Sequence, residues 1–169
     1  LAKAHIKSIV TIHDLIFLRH PELYHPIDRW IYKKKFRHAC EASDRIVAIS
    51  ECTKNDIVDL FHIAEDKIDV VYQGCHEAFK TIKTEEQKAE LRNKLKLPKD
   101  FLLNVGTIEP RKNILPTVKA IKDIDIPLVI VGKPTRYHQE IMDYIRQNNM
   151  ENRIFFFQGL AMEELAVLY

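Results

Sequence analysis

The chain has 169 residues, 46% of them hydrophobic and 30% charged, with a formal net charge of +2. That length allows one domain or parts of two, and so small a charge excludes nucleic acid as the default partner. The three cysteines (Cys40, Cys52, Cys75) are an odd count without paired spacing; they read as reduced thiols of a cytosolic protein and exclude a disulfide framework.

The elements expected in chain order alternate. The apolar run "HIKSIVTIHD" is expected as a first strand, ending at His13 and Asp14. A helix is expected over 28–41 with Asp28 as its cap. "SDRIVAIS" is a second strand, and Ser50 is a good N-cap for a helix over 51–62. "IDVVYQG" closes a third strand at Gly74. From Lys80 to Asp100, eleven of twenty-one residues are charged, which reads as a crossing between two lobes with its own surface helix. That helix, over 85–96, follows Thr84, with Gln87 completing a capping box. "FLLNVG" ends at Gly106 and precedes a helix over 114–122, with Asn113 as its cap. Pro116 is tolerable in the first turn of that helix but disfavours a helical Leu115, so a start one or two residues late is expected. "IPLVIVG" ends at Gly132 before a helix over 137–149, and "RIFFFQG" ends at Gly159 before a helix over 162–169.

The runs are short, rich in β-branched and aromatic residues, and nearly continuous in hydrophobicity. That pattern fits strands buried on both faces of a parallel sheet, so the fold class is α/β. Ligands of such sheets bind outside the carboxyl ends of the strands. All four glycines, His13 and Ser50 fall at those ends.

Among the candidate stretches, "VGTIEPRKN" (105–113) is the richest. Gly106 lets a ligand approach the backbone. Arg111 and Lys112 stand before a helix N-terminus, whose N–H groups and dipole favour an anion. Arginine offers a planar fork and lysine a point charge, and both suit phosphate. The competing expectation is a solvated turn in which Glu109 neutralises one cation. In "TIHDL", His13 can donate to a sugar hydroxyl or move a proton; Asp14 can orient it or cap a turn. A structural imidazole at a strand end is the plainer alternative.

Other patterns carry less. Asp123-Ile124-Asp125 has a metal-site spacing but lies ahead of a strand, at the amino edge, and is set aside. No CxxC or HxxxH pair suggests zinc. Glu77 and Glu85 are eight apart across the charged crossing, a chance spacing. The run "YKKKFRH" (32–38) reads first as a solvated helix face, with an anionic lipid or polymer as its alternative partner. No apolar stretch approaches the ~18 residues of a membrane span, and no signal-peptide pattern is read. The sequence opens without Met and stops inside a helical pattern, so a central fragment of a longer protein is expected.

Six stretches stand in a telling order: "TIHDL", "SDRIVAISECTKNDI", "DKIDVVYQGCHEAF", "FLLNVGTIEPRKN", "LVIVGK" and "RIFFFQGLAMEELAVLY". Together they resemble the retaining glycosyltransferases of family 4, the group 1 enzymes of the GT-B fold. The "GTIEPRKN" form is similar to that of mannosyltransferase-like members that build bacterial surface polysaccharide. The resemblance implies parts of two Rossmann-like lobes with parallel sheets: 1–79 from the acceptor-side lobe and 80–169 from the donor-binding lobe. It implies transfer of a sugar, mannose among the candidates, from a nucleotide-sugar to a hydroxyl of a saccharide or lipid-linked acceptor, with retention. It implies no metal and no cofactor beyond the donor, and a cytoplasmic enzyme able to meet the inner membrane face.

Carried over by position, Lys112 falls on the diphosphate-binding lysine, with Gly106, Thr107 and Arg111 beside it. His13 falls on the histidine near the transferred sugar and is the expected catalytic residue. Gly159 and Leu160 fall on the loop that meets the base, and Gly132 ends the neighbouring strand. Asp14 and Ser50 are expected to line the cleft. Many members carry arginine where Thr107 stands, and Arg111 is the available substitute. The family's first glycine-rich loop and its E-x7-E stretch are not in this sequence, so the segment alone is expected to be inactive. The alternatives are a non-catalytic sugar-nucleotide or polysaccharide-binding module and a sugar-nucleotide epimerase.

Overall fold

The computed structural model describes residues 6–169; His5 of the first expected strand lies outside them. The chain divides into two compact units, one reaching Gly74 and one over Cys75–Tyr169. The short 3-10 turn Glu77–Phe79 falls in the second, where the Phe79 ring meets Tyr169 edge-on at 5.6 Å.

In the first unit, β1 (Ile9–Ile12), β2 (Arg45–Ala48) and β3 (Ile68–Val70) form a parallel sheet in that order. Val10 pairs with Ile46, and Ile46 with Ile68. A short α1 (Ile16–Arg19) and a long α2 (Pro26–Ala42) link β1 to β2; α3 (Glu51–Phe61) links β2 to β3. The core gathers Ile12, Leu15, Phe17, Cys40, Ile46, Ile57 and Phe61 between sheet and helices. Burial pushes the Cys40 thiol up to about 11, because a thiolate is poorly solvated there.

The second unit repeats the scheme. Its parallel sheet runs β4 (Leu102–Val105), β5 (Leu128–Val131), β6 (Ile154–Phe157), with α4 (Glu85–Leu95), α5 (Ile114–Ala120), α6 (Tyr137–Gln147) and α7 (Met162–Leu168) around it. Only the central β5 is buried along its whole length. Its alternate side chains serve two cores: Leu128 and Ile130 pack with Ile114, Val118, Ile141 and Ile145, while Val129 and Val131 pack with Leu91 and Leu168. That alternation follows from the two-residue period of a strand. The flanking strands are less covered, and Leu102 is 41% exposed. Continuous hydrophobicity therefore overstates burial for every strand except β5.

Local signals explain most element ends. Ser50 Oγ accepts from the Thr53 amide at 3.1 Å and starts α3. Both halves of the Thr84–Gln87 capping box form, at 3.0 and 3.3 Å. Two expectations are corrected. The long helix begins at Pro26, not at Asp28, which sits in the first turn; proline's fixed φ suits the first helical position, where an N–H has no partner anyway. Asn113 makes no side-chain cap: it is left-handed, at φ 53, and α5 starts at Ile114 with no delay. Burial of Ile114 and Leu115 outweighs the restriction imposed by Pro116.

Candidate functional site

At the carboxyl edge of the first sheet, β1 ends at buried Ile12 and the chain turns through His13 and Asp14 into buried Leu15. Asp14 Oδ1 accepts from the Ile16 amide at 3.2 Å. Asp14 thus serves the turn, one of its two expected roles. The His13 side chain is exposed, and its main chain is tied down from the neighbouring strand end. Thr53 Oγ1 donates to the His13 carbonyl at 3.0 Å and lies 3.0 Å from Ser50 Oγ. Ser50 is therefore engaged as a cap and strut. Thr53, 5% exposed, is the link that the sequence reading missed; a threonine three residues after an N-cap gives no signal by itself.

In the second unit, β4 delivers Gly106, with φ +150. L-residues rarely adopt that conformation. The Lys112 stem lies over Gly106, in ordinary contact distance at 3.7 Å from where a Cβ would stand, so the conformation and not space calls for glycine. Residues 110–112 form a 3-10 turn that folds back, with the Lys112 amide donating to Glu109 O at 3.0 Å. Buried Ile108 anchors this turn. Its amide donates to Lys133 O at 2.9 Å, and its carbonyl accepts from Thr135 Oγ1 at 2.6 Å. Thr107 is exposed at the start of the turn.

The adjacent cations part ways. Arg111 Nη2 pairs with Glu109 Oε1 at 2.6 Å. Lys112 has no ion-pair partner among the described residues. Glu109 thus neutralises Arg111, and among the described residues the Lys112 ammonium, beside Gly106, has no carboxylate partner. The helix that follows has only seven residues, so the turn offers a ligand its side chains and exposed backbone rather than a long helix dipole.

Gly132 and Gly159 have different reasons to be glycine. A Cβ on Gly132 would overlap the Gly106 carbonyl oxygen, so the two strand ends close only without one. Gly159 has open space but φ +70, a left-handed turn after β6. Leu160, assigned with it to base contact, is half-buried against the Val129–Leu168 cluster. Beside these turns Ile108, Gly132, Pro134, His138, Phe156 and Gln158 help line a cavity of about 160 Å³. The His138 ring meets Phe156 edge-on at 4.7 Å. His138 and Gln158 were not singled out from sequence; only their closeness to glycine turns could have flagged them. A larger cavity, about 460 Å³, opens beside Lys99–Phe101 at the amino end of β4, where a parallel sheet does not place its ligand. Asp123 and Asp125 also precede β5. Among the described residues no three His, Cys, Asp or Glu side chains converge as metal ligands.

The sequence and the fold have known counterparts. Residues 1–79 match the model of Glycosyltransferase Family 4. Over those residues the chain is similar to glycosyltransferase family 4. The O-antigen chain mannosyltransferase B of Escherichia coli is 25% identical over 170 residues, covering 96% of this chain and 44% of that protein. The serotype-specific mannosyltransferase WbdA of Escherichia coli is 33% identical over 111 residues, or 64% of this chain and 14% of that one. Among solved structures, Anabaena Alr3699/HepE in complex with UDP and glucose superposes with a TM-score of 0.77 at 17% identity, covering 99% of this chain and 45% of the other. The α/β fold with two parallel sheets is thus that of the GT-B glycosyltransferases. The chain spans less than half the length of these relatives.

Proposed function

We propose that the protein to which this segment belongs is a glycosyltransferase of surface-polysaccharide synthesis. It moves a hexose, mannose foremost, from a nucleoside diphosphate sugar to a hydroxyl of a saccharide or lipid-linked acceptor, with retention. Lys112 holds the donor diphosphate, Gly106 and Thr107 present backbone to it, and Arg111 contributes once the anion competes with Glu109. His13 meets the transferred sugar. No metal is required, because the lysine and the turn neutralise the charge that develops on the leaving diphosphate. The segment by itself is inactive, or nearly so.

One observation carries the proposal: a lysine ammonium without an ion-pair partner among the described residues, folded across a glycine at the carboxyl edge of a parallel sheet. The mannosyltransferase names of the relatives support the sugar and the process, and the HepE complexes with UDP and with UDP-glucose support the donor class.

The test is a donor screen with the full-length protein, using GDP- and UDP-hexoses with and without acceptor, followed by Lys112→Ala. Losing one charge-assisted contact of 1.5–3 kcal/mol lowers turnover roughly 10- to 150-fold. Unchanged turnover in the variant removes Lys112 from the site. Epimerised nucleotide-sugar formed without acceptor replaces transfer by an epimerase reaction, and binding without turnover leaves a binding module.

A further inference from the structure

Packing alone does not account for the Thr53 hydroxyl. Thr53, Ile57 and Phe61 stand four apart on the buried face of α3, and a hydroxyl in that row needs a partner. A helical threonine commonly finds one in its own helix, at the carbonyl three or four residues back. Thr53 Oγ1 instead donates to the His13 carbonyl, 40 residues away, at 3.0 Å. Valine has nearly the same shape and would fill the row without that bond.

The hydroxyl protons run in one direction. The His13 carbonyl can only accept, so the single hydroxyl proton of Thr53 points there. Thr53 Oγ1 then accepts from Ser50 Oγ at 3.0 Å, and Ser50 Oγ accepts from the Thr53 amide at 3.1 Å. Hydrogen bonds in such a chain strengthen one another. Main-chain pairing of β1 with β2 reaches Ile12, whose carbonyl accepts from the Ile49 amide at 3.3 Å. That bond holds the peptide plane before His13, and the Thr53 bond holds the plane after it. Between two fixed planar peptides the direction of the His13 Cα–Cβ bond is set, and only the side-chain torsions are left to the imidazole. The far end of the same turn is tied to α3 as well: Arg19 donates from Nε to Asp56 Oδ1 at 2.7 Å and from Nη2 to Asp59 Oδ2 at 3.0 Å. All of these contacts lie inside the first unit.

We propose that Thr53 is a positioning residue for sugar transfer: its hydroxyl, held by Ser50, sets the direction from which the His13 imidazole meets the transferred sugar. The inference rests on the assignment of His13 to that sugar and adds how the fold aims it.

The test uses the full-length protein with whichever GDP- or UDP-hexose it turns over, read as release of the nucleoside diphosphate. Thr53→Val is expected to lower kcat roughly 10- to 100-fold with the donor KM changed less than about twofold, because a misaimed group slows the reaction rather than weakening donor binding. Thr53→Ser keeps the hydroxyl and is expected to restore most of the loss. In a His13→Ala background Thr53→Val is expected to lower kcat no further, since residues acting through one another are not additive. Circular dichroism and urea unfolding check that each variant is folded under assay conditions. If Thr53→Val does not fold, Thr53→Ala, which leaves room for a water on the His13 carbonyl, replaces it under the same outcomes. Three results overturn the proposal: a folded Thr53→Val with parental kcat, a Thr53→Ser as slow as Thr53→Val, or an equal loss from Thr53→Val with and without His13. Parental turnover in His13→Ala overturns the assignment of His13 and this inference with it. A loss in His13→Ala beside parental kcat in Thr53→Val overturns this inference alone. A full-length protein that turns over none of the donors overturns both.

Discussion

Lys112 and Arg111 are neighbours in sequence with different electrostatic circumstances. Arg111 already has a carboxylate at 2.6 Å, so an incoming diphosphate must compete with Glu109 for it. Among the described residues Lys112 has no such competitor. Calorimetric titration with UDP and GDP is therefore expected to show a larger loss for Lys112→Ala than for Arg111→Ala. Glu109→Gln is expected to raise affinity, by freeing Arg111 and removing a negative charge. Equal losses in the two alanine variants would place both cations on the ligand. The adjacency of two cations before a helix was legible in the sequence; which one is free was not, because that depends on how the Pro110–Lys112 turn folds back. The glycines separate in the same way. Gly132→Ala drives a Cβ into the Gly106 carbonyl and is expected to cost about 3 kcal/mol in urea unfolding, since backbone must move. Gly159→Ala meets open space at φ +70 and is expected to cost only about 1–2 kcal/mol.

At the scale of elements, capping chemistry is local and the sequence shows it well. Ser50 and the Thr84–Gln87 pair stand where their spacing predicts. Ser50→Ala is expected to destabilise the first unit by about 1 kcal/mol and to speed hydrogen exchange at the Thr53 amide. The same change loosens Thr53, and so the main chain of His13. A loss of donor turnover larger than the loss of stability would show that positioning of His13 matters to the reaction. The two missed starts, at Pro26 and Ile114, have different causes. At Pro26 an aspartate signal competed with a proline signal, and the proline won because its φ is preset. At Ile114 a local restriction yielded to burial of two side chains, which no local rule contains.

At the scale of the molecule, burial and ionisation set two measurable responses. Cys52 and Cys75 are exposed and Cys40 is buried with its thiol pushed up to about 11. A thiol reagent at pH 8 is expected to label two cysteines in the native chain and a third only after unfolding, since the thiolate is the reactive form. Several carboxylates are held below their ordinary values: Asp44 first by the Ser8 amide and then by Lys7, and Glu164 first by Lys94 and then by the Ala161 amide. A depressed carboxylate stabilises the fold above its unfolded value and loses that contribution as pH falls through its folded value. Stability is therefore expected to be flat near neutrality and to drop below the ordinary carboxylate range. High salt should flatten the drop, because these groups are exposed.

By itself, the sequence determined the alternation of strand and helix, the parallel class of the sheets, the position of His13, Ser50, Gly106, Gly132 and Gly159 within two residues of a strand end, and the family resemblance that the comparison over residues 1–79 bears out; Gly74 is the exception, because β3 already ends at Val70. These follow from hydrophobic period, turn residues and spacing, all of which are written within a few residues of one another. Only the tertiary structure decided that Glu109 takes Arg111 and not Lys112, that Gly132 is glycine to let the Gly106 carbonyl pass, that Thr53 ties the main chain of His13 to α3, and that Trp30 looks outward. Each of these is a contact, or the lack of one, made when the backbone folds back on itself, and a linear pattern carries no record of which side chain arrives first.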